Sequence, residues 1–72
     1  MSKDETLILI GKQIRNVRKS KNFTQEEVAH YADLARSYYG DIERGTRNVS
    51  ALNLVSIAKA LNVQVGDLFP PL

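Results

Sequence analysis

The side chains best suited to hydrogen-bonding chemistry lie close together, between residues 36 and 41 of this 72-residue chain. Arg36 is able to donate two parallel hydrogen bonds to O6 and N7 of a guanine, and Asp41 is able to accept one from the amino group of a cytosine. Tyr38 could contact a thymine methyl group or bond a phosphate, and Ser37 belongs to the same polar surface. We therefore predict that Arg36, Ser37, Tyr38 and Asp41 contact base edges, provided that the fold presents them to a DNA groove.

The residue types needed for catalysis or metal binding are scarce. The chain has one histidine, His30, no cysteine and no cluster of carboxylates. No nucleophile–base pair can be identified, and His30 has no partners spaced to share a metal ion. We therefore predict that the protein is not an enzyme and has no catalytic residue, no metal site, no cofactor and no small-molecule ligand.

Cap and turn residues place the polar surface on the second of two short helices. Thr24 and Glu27 have the spacing of a capping box, which predicts a helix that begins at Gln25. Asp33 tolerates the left-handed backbone of a tight turn, so a further helix is predicted from about Arg36. Two short helices joined in this way pack at a steep angle and present the second one to a major groove. The residues expected on the outer side of that second helix are Arg36, Ser37, Tyr38, Gly40 and Asp41.

Helical patterns also fill the remainder of the chain. An apolar stripe predicts a first helix from about Glu5 to Ser20, and Gly45 is a typical helix stop after the third. Ser50 caps a fourth helix that ends near Asn62, and residues 65–69 have room for one last turn before two prolines. No strand-like alternation competes with these patterns. The prediction is one all-α domain over residues 1–72, built from five short helices.

Length, apolar runs and charge restrict the partners without identifying one. A chain of this size buries only about 60% of its unfolded surface, so a partner subunit is a common supplement to its core. The longest apolar run spans residues 7–10, far below the ~20 residues that cross a bilayer, and no secretory signal is visible. We predict a cytoplasmic protein without membrane contact.

The formal net charge is only +2, with eight basic and five acidic residues between positions 12 and 47. This charge pattern permits DNA binding but also fits a solvated surface.

Many residues agree in order and spacing with a known family. They are Ile14, Arg15 and Arg18; the run from Thr24 to Glu27; Arg36, Ser37 and Tyr38; Ile42 to Gly45; Arg47 to Ser50; Asn53 and Leu54; and Ile57 to Leu61. On these residues the chain resembles the Cro/C1 (XRE) family of helix-turn-helix regulators, and within it most resembles the controller proteins of restriction–modification systems. The resemblance covers residues 10 to 69.

The resemblance implies a lambda-repressor-like fold and a transcriptional regulator of bacterial or phage origin, associated with the nucleoid. It further implies that the protein binds its own promoter, a palindromic operator, as a homodimer. By the same resemblance Arg18 and Glu43 form an internal salt bridge, and Glu26 offers an acidic contact to RNA polymerase. The residues implied to contact the DNA backbone are Gln25, Arg47, Asn48, Ser50 and Asn53.

A few positions depart from the usual pattern of that family. Asp33 stands where glycine is common, and Tyr39 replaces isoleucine or valine, so its ring enters the core and its hydroxyl needs a partner. Ala35 occupies the N-cap of the third helix, where a missing side-chain cap costs about 1 kcal/mol. Gly40 lowers the helical stability by about as much again. We therefore expect a third helix that is weak in isolation.

An apolar C-terminal patch is the predicted dimer interface, consisting of Val63, Val65, Phe69 and Leu72. One helix reads only a few base pairs, and the family extends its reach by two-fold symmetry. Two alternatives remain open for the function, a phage-type repressor and an antitoxin whose main role includes binding a protein partner. Binding to a specific duplex distinguishes a regulator from a pure interaction module.

Overall fold

The structure, a computed structural model that describes residues 3–71, consists of four α-helices and a final 3₁₀ turn. The helices are α1 (Lys3–Ser20), α2 (Gln25–Tyr31), α3 (Arg36–Arg44) and α4 (Ala51–Leu61), and the 3₁₀ turn is Val65–Leu68. No strand occurs within these residues, so the all-α prediction is confirmed. The expected fifth helix is a single 3₁₀ turn, because Phe69 precedes Pro70 and is extended, and the four residues before it leave room only for the i to i+3 hydrogen bonds of that conformation. The first helix begins two residues earlier than the apolar stripe indicates.

The turn between α2 and α3 follows the predicted chemistry. The Thr24 hydroxyl accepts a hydrogen bond from the Glu27 backbone N–H, and the Glu27 carboxylate accepts one from the Thr24 N–H, at 3.1 and 2.9 Å. Asp33 has φ 59° and ends the turn, while the Leu34 N–H donates to the carbonyl of Ala29 at 2.8 Å. Ala35 precedes α3 without a side-chain cap, as expected. These local interactions fix the direction in which α3 leaves α2.

Two glycines allow α1 and the end of α3 to pack in close contact. A Cβ on Gly11 would lie 2.5 Å from the carbonyl oxygens of both Ile42 and Glu43, which no larger residue tolerates. Gly45 ends α3 at φ 76° and lies against Ile8, with 2.6 Å between the position of its missing Cβ and the Ile8 Cα. The left-handed backbone and the close approach both require glycine there. The contact region around Gly11 and Gly45 is called the glycine seam below.

The core receives side chains from all four helices and from the 3₁₀ turn, and α3 packs against α1 and α2. Its largest fully buried side chains are Ile14, Val28, Tyr39, Ile42, Ile57, Leu61 and Leu68. Ser50 caps α4, as predicted, through a hydrogen bond from the Asn53 N–H to its hydroxyl at 3.1 Å, and Asn62 ends α4 at φ 58°. Across residues 3–71 no helix is both long and apolar enough to cross a membrane.

Candidate nucleic-acid interface

The first turn of α3 presents polar side chains to solvent. Arg36 and Ser37 are exposed, whereas Tyr38 is half-buried and packs partly against the core. The adjacent Tyr39 is fully buried, so the two tyrosines point to opposite sides of the helix. The amphipathic pattern read from the sequence is therefore correct for these four positions.

Gly40 is not on the open surface, contrary to the sequence-based expectation. It is buried because the arginine side chains on either side lie over it, with Nη1 of Arg36 and of Arg44 at 2.9 and 3.3 Å from the position of a Cβ. Arg44 is also ion-paired with Asp41, one turn earlier on the same helix. Helical periodicity gives the direction of residue 40 but says nothing about the long side chains that cover it. Any ligand of the Asp41 carboxylate therefore also meets the guanidinium of Arg44.

A second cluster joins α3 to the start of α4. The Nδ2 of Asn53 donates a hydrogen bond to the Tyr38 hydroxyl at 2.9 Å. The guanidinium carbon of Arg47 lies 5.3 Å from the centre of the Tyr38 ring, within the range of a cation–π contact. We call Tyr38, Arg47 and Asn53 the Tyr38 cluster. The sequence indicated each of these residues as a DNA contact but did not predict that they contact one another.

The loop between α3 and α4 carries the remaining polar residues predicted at the DNA backbone. Arg47, Asn48 and Ser50 are exposed, next to the outer side of α3. The Ser50 hydroxyl already accepts from the Asn53 N–H, which leaves its own proton available to an outside acceptor. The loop and the first turn of α3 therefore form one continuous polar surface.

Four side chains form a hydrogen-bonded network around the buried carboxylate of Glu43. Arg18 donates to both carboxylate oxygens, from Nε to Oε2 at 2.7 Å and from Nη2 to Oε1 at 3.1 Å. Tyr39 donates its hydroxyl proton to Oε2 at 2.5 Å, and Gln25 donates from Nε2 to Oε1 at 2.8 Å. The salt bridge implied by the family resemblance and the required partner of Tyr39 are both confirmed. We call Arg18, Gln25, Tyr39 and Glu43 the Glu43 network.

Protonation equilibria in this network follow from its burial and its hydrogen bonds. Burial alone would raise the pKa of Glu43, but the hydrogen bonds from Arg18, Tyr39 and Gln25 outweigh it and hold the pKa below its ordinary value. Burial raises the pKa of Tyr39, and the adjacent Glu43 carboxylate raises it further. The hydrogen bond to Glu43 raises the pKa of Arg18, against the opposing effect of burial. The pair is therefore ionised and the tyrosine neutral throughout the physiological range.

A basic groove of about 300 Å³ lies beside the Glu43 network, between α1 and the end of α3. It is lined by Ile8, Lys12, Arg15, Arg18, Gln25, Glu43 and Arg44. Lys12, Arg15 and Arg44 are exposed and supply positive charge next to Gln25. Such a rim attracts anionic groups, phosphates included.

The start of α2 carries two glutamates with different surroundings. Glu27 is engaged in the capping box. Glu26 is exposed, and among the interactions that the structure describes its carboxylate has neither a hydrogen bond nor an ion pair. Its neighbour thus has a structural role, whereas Glu26 is available to an outside partner.

Apolar side chains are exposed both near the C-terminus and on α4. Val63 and Val65 are half-buried against the core, and Phe69 is 42% exposed, while Leu72 lies outside the described residues. On α4, Leu52 is 80% exposed and Val55 is also exposed. Sequence reasoning missed these two, although α4 has more apolar residues than one inward face requires.

The sequence matches the profile of the helix-turn-helix family over residues 14–68. It is 53% identical over 62 residues to the control protein C.BamHI of Bacillus amyloliquefaciens, covering 85% of this chain and 76% of that protein. It is 41% identical over 63 residues to the control protein C.MunI of Mycoplasma sp, covering 86% of this chain and 85% of that protein. The structure is similar to that of the restriction-modification controller protein C.AhdI from Aeromonas hydrophila, with a TM-score of 0.86, 41% identity, and coverage of 88% of this chain and 96% of that one. The family match includes the whole polar surface described above.

Proposed function

This chain belongs to the helix-turn-helix family of XRE-type transcriptional regulators, and on that premise we propose that it controls a restriction–modification system by binding its own promoter as a homodimer. Members of the family are DNA-binding regulators and not enzymes, in agreement with the prediction from the sequence. The observation that carries the proposal is the polar first turn of α3, exposed beside the polar loop that precedes α4. We place its action in the cytoplasm, at the nucleoid.

In this proposal α3 enters the major groove and its outer residues read the bases. Arg36 and Ser37 are exposed at the leading end of the helix, and Tyr38 follows them. Asp41 accepts a hydrogen bond from a donor group such as the cytosine amine, through the carboxylate capacity that its ion pair with Arg44 leaves free. Arg36 contributes most of the discrimination, because a bidentate contact to guanine is the strongest of these.

The side chains around α3 hold the DNA backbone. Gln25 lies at the rim of the basic groove, and its amide keeps one hydrogen bond to Glu43 while the rest of the amide is available to a phosphate. Arg47, Asn48 and Ser50 form the opposite side of the clamp. Asn53 belongs to this set by sequence, although its amide already donates to Tyr38.

A homodimer supplies the second half of the recognition surface. Phe69 is exposed beside Val63 and Val65, and the exposed Leu52 and Val55 extend the apolar area along α4. The sequence-based interface also includes Leu72, which lies outside the described residues. Two subunits related by a two-fold axis would place their α3 helices in half-sites about 10 bp apart, or a multiple of that.

Base reading and backbone clamping are separable by experiment. Selection from a randomised duplex pool gives the preferred sequence, and titrations at several salt concentrations give the number of phosphate contacts. Arg36→Ala should weaken binding to the preferred sequence by about 1–3 kcal/mol and relax the base preference at one position per half-site. Arg47→Ala should weaken binding to all sequences alike. It should also reduce the salt slope, the dependence of the logarithm of affinity on the logarithm of salt concentration, by about 1 per subunit. Arg47→Lys is the control that keeps the charge. A uniform loss in both alanine variants would show that Arg36 contacts the backbone.

The dimer is tested by sedimentation with and without the selected duplex. We expect a dimer at tens of micromolar protein. Phe69→Ser should shift the equilibrium toward the monomer, because it removes the exposed ring from the apolar patch. A monomer on and off DNA would contradict two-fold recognition.

Activation of transcription is assigned to Glu26. Its carboxylate is exposed beside the DNA-binding surface and could meet a basic patch of RNA polymerase when the protein lies upstream of a promoter. Glu26→Lys should bind DNA equally or slightly more tightly but no longer activate, and Glu26→Gln separates loss of the carboxylate from the added positive charge. Unchanged activation by a promoter-bound Glu26→Lys protein would leave Glu26 with only the helix-dipole role of an acidic first-turn residue.

The regulated genes are identified by selecting bound genomic fragments. Methyltransferase and endonuclease genes beside the bound site would support control of restriction and modification. A toxin gene or a prophage gene there would contradict it while leaving sequence-specific DNA binding intact.

A further inference from the structure

The hydrogen bond between Asn53 and Tyr38 determines what the Tyr38 hydroxyl is able to offer. A phenol has one proton to donate and accepts through its lone pairs. The Asn53 amide nitrogen donates to it at 2.9 Å, so the phenolic proton cannot point along that line. The other member of the cluster, Arg47, has only donors and cannot accept the proton either. The proton is therefore left for an acceptor outside the cluster.

The Tyr38 ring is also held in place. One part of it packs against the core, and the Arg47 guanidinium lies 5.3 Å from the ring centre. Asn53 is fixed in turn, because its backbone N–H donates to the Ser50 hydroxyl at 3.1 Å in the N-cap of α4. Both ends of the Asn53–Tyr38 hydrogen bond are thus anchored in different helices before any ligand arrives. A hydroxyl held in this way has a defined direction and a defined polarity.

We propose that Asn53 is a positioning residue that makes Tyr38 a hydrogen-bond donor to DNA, so that Tyr38 reads an acceptor atom at one position of each half-site. In the major groove thymine offers O4, guanine offers O6 and N7, and adenine offers N7, whereas cytosine offers only an amino donor. Cytosine is therefore the base rejected at that position. This inference rests on the proposed binding of DNA by α3, and it replaces the direct phosphate contact that the sequence implied for Asn53.

The experiment is selection from a randomised duplex pool by the full chain and its variants, followed by titration of single-base variants of the preferred duplex. The wild-type protein should deplete cytosine at one position per half-site. Tyr38→Phe should reduce that depletion about fivefold, the effect of about one hydrogen bond. Asn53→Ala should reduce it at the same position, and the double variant should lose no more than Tyr38→Phe alone, because Asn53 acts through the hydroxyl.

Asn53→Asp reverses the polarity without removing the side chain. An aspartate has no proton to donate at neutral pH and accepts the phenolic proton, which turns lone pairs of the Tyr38 oxygen toward the groove. The base preference should then shift toward cytosine or adenine, whose amino groups donate. The matched control is Asn53→Asp combined with Tyr38→Phe, which carries the same new charge and, compared with Tyr38→Phe alone, should weaken binding to all sequences alike without a further shift of the preference.

Three results would overturn the inference. Asn53→Ala could weaken binding to all sequences uniformly in both Tyr38 backgrounds, with the salt slope unchanged because the amide is neutral, which would make Asn53 a phosphate contact. The wild-type protein could favour cytosine at the position that depends on Tyr38, which would make the hydroxyl an acceptor. Asn53→Asp could leave the preference at that position unchanged. If the wild-type protein enriches no sequence at all, the proposed function itself fails, and this outcome is distinct from the other three.

Discussion

Tyr38 and Tyr39 are neighbours on α3 and both have hydrogen-bonded hydroxyls, yet they belong to opposite kinds of polar cluster. Tyr39 donates its proton to Glu43, and every strong hydrogen-bonding partner it needs is inside the protein. Tyr38 accepts from Asn53 and keeps its proton available. The Glu43 network is satisfied within the fold, whereas the Tyr38 cluster is only partly satisfied until something binds.

The difference shows how one short helix combines a structural and a recognition role. Among the described residues no buried side-chain nitrogen or oxygen lacks a hydrogen-bond partner, which a low-dielectric interior demands. On the open side, unsatisfied donors remain in contact with water at little cost and are available to a ligand. Changes of the buried members Arg18, Tyr39 and Glu43 should therefore alter stability, and changes in the Tyr38 cluster should alter specificity.

The largest expected effect is the loss of stability in Glu43→Gln. The Glu43 and Arg18 side chains are only 2% and 11% exposed, so removal of the carboxylate charge leaves a buried guanidinium without its counter-ion. Breaking such a pair costs about 3–5 kcal/mol. A domain of this size has a total free energy of unfolding of roughly 4–11 kcal/mol, so a large part would be lost.

Urea unfolding at neutral pH measures this loss, with Arg18→Met combined with Glu43→Leu as the control. Replacement of both charges by apolar side chains should be far less damaging than the single change. A Glu43→Gln protein as stable as the wild type would mean that the network contributes no net stability.

A pH dependence follows from the lowered pKa of Glu43. Because the folded state binds this proton less readily than the unfolded chain, the stabilisation is fully present above the ordinary pKa of 4.5 and is lost as the pH falls through the lower folded value. The difference in free energy of unfolding between wild type and Glu43→Gln should therefore be constant from about pH 7 to about pH 5 and shrink in more acidic solution. Urea titrations across that range test it, and a difference that stays constant to about pH 3.5 would contradict the assignment.

The two tyrosines allow a matched comparison of intermediate size. Tyr39→Phe removes a buried hydrogen bond to a charged acceptor and should lower the free energy of unfolding by about 1.5–3 kcal/mol without altering base preference. Tyr38→Phe removes a bond at the half-buried surface, so its stability should change by less than about 0.5 kcal/mol while base preference weakens. Thermal unfolding and duplex selection on the same two proteins provide both measurements. Equal losses of stability would remove the distinction between the clusters.

The smallest effect is expected for the second ion pair of α3. The Arg44 and Asp41 side chains are 60% and 36% exposed, and such surface pairs contribute about 0–1 kcal/mol. Asp41→Asn should therefore change the free energy of unfolding by less than about 0.5 kcal/mol, measured by urea unfolding at low and at high salt. A loss of unfolding free energy comparable to that of Glu43→Gln would show that burial does not determine how much each of the two ion pairs contributes to stability.

The features correctly predicted from sequence are those decided within a few residues. The capping box of Thr24 and Glu27 spans four residues, and the turn at Asp33 and the stop at Gly45 each depend on the backbone preference of a single residue. Local chemistry of this kind is sufficient to define the bounds of α2 and α3. The salt bridge between Arg18 and Glu43 joins residues 25 apart and was accessible only through resemblance to a family.

The contacts that sequence reasoning missed are made by flexible polar side chains across long intervals. Gln25 and Glu43 are 18 residues apart, and Asn53 and Tyr38 are 15 apart. An amide side chain is able to pair with almost any polar group, so its partner follows only from the packing of the helices that carry it. The burial of Gly40 has the same origin, because it depends on where two arginine side chains come to lie. The DNA-contact roles assigned to the exposed residues stay predictions.

The glycine seam limits which parts of the molecule are able to adapt to a ligand. With carbonyl oxygens 2.5 Å from the place of a Cβ on Gly11, α1 and the end of α3 have no room to slide past or rotate against each other. The two helices are therefore packed as one unit, and the side chains left free to adjust are the exposed ones at the start of α3, such as Arg36 and Ser37. In the proposed complex with DNA, adjustment to grooves of different width would therefore fall to these side chains and to the DNA itself, and not to the packing of α1 against α3.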